Sequence, residues 1–133
     1  MNAARLPMTM AEPINVGTYN FTGIANLHEI VGSINQSIIL MQNGEDGQIA
    51  EILKDIGEAV IKSPRMDKNA CQAAIEILRT LAWEASLPSA ERQLGIVKAD
   101  LAYMPVLLSR NPDVLNLFEA RVGDLRKFFK IST

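Results

Sequence analysis

The chain has 133 residues, a formal net charge of -2, 48% hydrophobic and 21% charged residues, and only 5% aromatics. This balance suits one domain with a single core built from aliphatic side chains, which favours helices over a β-sandwich. It also tells against a nucleic-acid surface, which usually carries a basic excess, while the lone Cys71 rules out a disulfide framework or a cysteine-built metal site.

Met1–Glu12 shows no periodicity and reads as a flexible tail. Residues 13–23 (PINVGTYNFTG) read as a short extended arm, bracketed by Pro13 and Gly23. With no second strand in the chain to pair with, the arm either lies on the helices or is exchanged with a second subunit.

The most informative stretch is 24–42. Ile24, Leu27, Val31, Ile34, Ile38 and Met41 recur at alternating steps of three and four, the seam of a helix packed on other helices. From Pro13 to Gly44 the only charged residue is Glu29. A solvated helix face normally carries Lys and Glu, so this helix is expected to meet neighbours on more than one side. Asn26 with Glu29 forms a capping box at its start, and Ser33 with Gln36 forms a competing one. The unbroken phase across Gly32 favours one continuous helix, with Gly32 admitting a neighbouring helix at close range.

Asn43–Gly47 (NGEDG) is a turn by composition. A second helix, about 48–62, buries Ile49, Ile52, Leu53, Ile56 and Val60, with Glu58 and Lys62 as an exposed pair, and Ser63-Pro64 stops it. A third, about 67–85, turns Ala74, Ile77, Leu78, Leu81 and Ala85 inward. Ser89 is the expected cap of a fourth helix, whose seam is Leu94, Val97, Leu101, Met104 and Leu108, with a kink at Pro105. Asn111-Pro112-Asp113 opens a fifth, which packs through Leu115, Phe118, Val122, Leu125 and Phe129 and ends in basic residues. The expected fold is all-α, a bundle of about five helices, with residues 13–133 as a single helical domain and 48–131 as two helical hairpins.

Chemistry is harder to find. With one histidine, His28, no triad or histidine metal cluster can be assembled. Cys71 lacks basic neighbours in a nucleophile motif and reads as a small semi-buried residue. Glu51 and Asp55 are spaced to share a helix face, but no Glu-x-x-His pattern accompanies them, and a solvated face explains them. No phosphate loop, zinc-spaced cysteines or nucleophile elbow is present. The expectation is therefore a non-enzyme with no cofactor and no metal. Its most apolar window, 24–41, carries too many polar residues for a membrane span, so a cytoplasmic protein with neither membrane nor nucleic acid as partner is expected.

What remains is association. The sequence points to a protein-interaction module forming a dimer or higher homo-oligomer through its first helix, with Ile24, Leu27, Val31, Ile34, Ile38, Met41 and Trp83 as contact residues. The alternative is a partner-binding protein, antitoxin-like or chaperone-like, covering a hydrophobic segment of a client chain.

Overall fold

A computed structural model describes residues 27–42 and 47–131, with the side chains of Leu27, His28 and Gln42 excepted. The proposed tail and arm, the contact residue Ile24, the cap at Asn26 and most of the turn at 43–47 lie outside the described residues. Within them are five α-helices and no strand: α1 (Leu27–Gln42), α2 (Gly47–Lys62), α3 (Lys68–Ser86), α4 (Leu94–Leu107) and α5 (Pro112–Phe129). The expected all-α bundle is what the chain forms.

Helix α3 is the hub. It packs on α1, α2 and α4, while α5 closes the bundle against α2 and α4. Asp67 starts α3, its carboxylate accepting hydrogen bonds from the backbone N–H groups of Asn69 (3.0 Å) and Ala70 (3.2 Å). The far end of α3 is held by Arg92, whose guanidinium donates to the carbonyls of Glu84, Ala85 and Leu87 at 3.0–3.1 Å. Carbonyls at a helix C-terminus lack partners within the helix, and Arg92 supplies one here, sharing the Glu84 carbonyl with the Leu87 N–H. The same guanidinium lies over the rings of Phe128 (4.5 Å) and Phe129 (5.7 Å), tying α3 to the end of α5. Glu84 is buried and accepts from the backbone N–H of Gln93 (2.7 Å), fixing the chain just before α4 begins.

The predicted inward faces of α2, α3 and α5 are buried as expected, apart from Leu115, which is half-buried beside the fully buried Val114. Several local expectations change. Ser89 does not cap α4: Ser89–Glu91 is a separate 3-10 turn, and α4 starts after Gln93. Glu58 pairs with Lys54 at 3.7 Å, one turn before it, instead of Lys62. Asp55 is not merely solvated, since Arg121 of α5 donates to its carboxylate at 2.8 Å. Gly32 lies within a continuous α1, but a Cβ there would meet nothing within 4 Å, so no neighbour exploits the missing side chain. Helix α4 runs two residues past Pro105 before it ends, so the carbonyl that Pro105 cannot serve lies in the last turns of the helix.

Candidate interaction surface

The seam of α1 folds inward. Val31, Ile34, Ile38 and Met41 are buried among residues of α2 and α3 in the same chain. A second copy cannot reach them without opening the subunit. Leu27 is the first residue of α1. Trp83 does not join this group in the core: it stands 54% exposed on α3. The outward side of α1 carries Gly32, Gln36, Ile39 and Leu40, and Ile39 and Leu40 are the large apolar residues it exposes.

The larger apolar surface is on α4. This helix packs through Val97, Leu101 and Met104, with Leu107 partly buried and Leu108 continuing the seam just past its end, while Leu94, expected in that seam, is exposed. At 100° per residue, Ile96, Ala99, Tyr103 and Val106 form a second seam on the opposite side, again spaced three, four and three. All four are exposed, Val106 to 61% and Tyr103 to 51%, and the exposed Gly95 and Ala102 extend the stripe on its Lys98 side. An apolar helix of this kind is normally covered on all sides. Here one side has no cover among the described residues.

Charge is confined to the edges of this stripe. Lys98 lies about 120° to one side of its centre and Asp100 about 80° to the other. Lys98 is exposed beside Lys130 and Ile131 at the end of α5. Neither Lys98 nor Asp100 has an ion-pair or hydrogen-bond partner among the described residues. Partial burial raises the Asp100 carboxyl above its ordinary value by desolvation, with no cation nearby to offset it.

The remaining candidates separate from this surface. Cys71 is fully buried, not semi-buried, and desolvation pushes its thiol up to about 11. Of the basic residues on α5, Arg121 is taken by Asp55. No group of three or more His, Cys, Asp or Glu among the described residues is placed to hold a metal ion, and no described helix is long and apolar enough to cross a membrane.

No family model, curated protein or solved structure matches the chain. The α4 stripe was nonetheless available in the sequence. The spacing that marks Val97, Leu101 and Met104 as a seam is repeated one or two residues away by Ile96, Ala99, Tyr103 and Val106, and reading a single seam per helix hides it.

Proposed function

We propose that this protein is a self-associating helical interaction module, and that a second copy covers the outer face of α4. The observation carrying the proposal is the apolar stripe Ile96–Ala99–Tyr103–Val106 with an unpaired cation on one edge and an unpaired anion on the other. Such a surface is complementary to itself. When two α4 helices pack in parallel about a twofold axis, the Lys98 edge of each copy meets the Asp100 edge of the other. The two residues differ by only two positions along the helix, about 3 Å of rise, within reach of a lysine side chain. Burial of Ile96, Tyr103 and Val106 supplies the attraction and the charged edges select the orientation. One face of a helix this short is a small interface, which suits a concentration-dependent dimer.

Sedimentation or light scattering across a concentration series is the test. The expected result is a monomer–dimer equilibrium in the wild type, shifted to monomer by Val106→Glu with unchanged helix content. A wild type that stays monomeric throughout would reject the proposal, as would a folded Val106→Glu variant that associates as strongly as wild type. In the latter case the exposed Trp83 or the Ile39–Leu40 pair would be the place to look next.

A further inference from the structure

Between the end of α2 and the start of α5 lies a cavity of about 290 Å³, walled by Pro64 and Pro112 and lined by Ser63, Arg65, Arg110, Asn111 and Asp113. Its polar groups are unusually uncommitted. Asn111 is 5% exposed and Ser63 is 7% exposed, yet neither side chain has a hydrogen-bond partner among the described residues. Buried polar groups are nearly always paired. No side-chain nitrogen or oxygen is sealed away without a partner. The Asn111 amide and the Ser63 hydroxyl therefore still meet accessible space; this cavity is the one Asn111 lines, and Ser63 stands between it and a neighbouring cleft.

The start of α5 is open in the same way. Asparagine at this position ordinarily caps its helix by accepting from a first-turn N–H. Asn111 does not do so. Pro112 has no N–H to offer, and the N–H groups of Asp113 and Val114 have no partner among the described residues. Arg65 and Arg110 flank the cavity, both exposed and neither engaged by a carboxylate. Residues carrying two guanidinium groups, one open helix N–H at Asp113, an amide and a hydroxyl thus line one space, at the end of a helix that favours negative charge.

We propose that this cavity binds a small monovalent carboxylate. Arg65 and Arg110 would clasp its two oxygens, which lie in a plane suited to guanidinium forks. The N–H of Asp113 would donate to the same anion, with the Asn111 amide and Ser63 hydroxyl completing the donor set. Asp113 sets the charge limit. Asp113 lines the same wall, and its carboxylate opposes a second negative charge, which disfavours inorganic phosphate, a substantial share of which is dianionic near neutral pH.

The test is a two-dimensional NMR titration of the full chain with sodium acetate, alongside sodium chloride at equal ionic strength and sodium phosphate. Acetate is expected to shift the Asp113 backbone amide and the Asn111 side-chain amide along a saturating curve, at lower concentration than phosphate. Arg110→Gln, a change at an exposed side chain, is expected to weaken binding about tenfold, the loss of a charge-assisted hydrogen bond. Asn111→Asp supplies the anion and the missing cap from within the chain. It should abolish the saturable shifts while leaving the melting temperature equal to or above that of wild type. Shifts with acetate no larger than with chloride would overturn the proposal. So would saturation by phosphate at lower concentration than acetate, or saturable binding that survives replacement of both arginines by glutamine.

Discussion

Single side chains carry two of the bundle's decisive contacts, and neither is visible as a motif. Arg92 satisfies three carbonyls at the end of α3 and covers two phenylalanine rings of α5. Arg92→Ala is expected to cost about 2 kcal/mol in chemical denaturation, since each charge-assisted bond nets about 1.5–3 kcal/mol and the bonds share one group. Arg92→Lys should recover little of it, because an ammonium cannot reproduce the planar fork. Cys71 is sealed on the buried face of α3, and its thiol is held up to about 11 against an ordinary value of 9.0. Below pH 9 both folded and unfolded chains keep the proton, so the residue adds no pH dependence there. Between 9 and about 11 the unfolded chain ionises first. Stability should therefore fall as pH rises through that window, by at most about 1.4 kcal/mol per pH unit. A thiol reagent at pH 8 should leave the native protein unlabelled and label it only as fast as it unfolds. Rapid labelling without denaturant would contradict the burial of Cys71.

At the scale of elements, the helices were legible because apolar spacing reports directly on burial, and their ends were less so because several bonds compete for each terminus. Asp67 and Asn111 illustrate the difference. Asn111 looks like a cap in sequence and makes no capping bond, while Asp67, which no pattern singled out, makes two. Ser89 also looks like a cap, and the chain spends it on a short 3-10 turn because Arg92 and Glu84 hold the segment before α4. The α1 seam shows a further limit. Periodicity establishes that a face is covered, but not whether the cover comes from the same chain. Val31, Ile34 and Ile38 are satisfied by α2 and α3, so Val31→Asp is a folding defect before it is an association defect. Gly32 gives the sharper element-scale prediction. Open space surrounds its missing Cβ, so Gly32→Ala should stabilise the protein by about 1 kcal/mol in denaturant unfolding, the helix-propensity difference alone. A loss of stability would mean that something outside the described residues lies against this face.

At the scale of the molecule, the layering of helices decides what is left for a partner. With α3 central and α4 joined to the bundle mainly through α3 and α5, one side of α4 faces outward, and that side is its second seam. The proposed twofold pairing can be separated from other modes of association by exchanging charges at its edges. In a parallel pair, Lys98 of each copy faces Asp100 of the other, so Lys98→Asp sets two acids together and Asp100→Lys sets two lysines together. Both single variants should dimerise more weakly than wild type, and the double exchange should restore the original affinity by recreating the opposite-charge pairs in reverse. An antiparallel pair places like edges on the same side, Lys98 with Lys98 and Asp100 with Asp100. There the single variants would not weaken the dimer through a lost attraction, and the double exchange would have nothing to restore. Each charged pair at such a rim is worth only about 0.2–1 kcal/mol, but the symmetry doubles it, and sedimentation at low ionic strength brings the difference into range. Weakening in both singles with recovery in the double, all three keeping wild-type helix content, is the pattern the parallel arrangement requires.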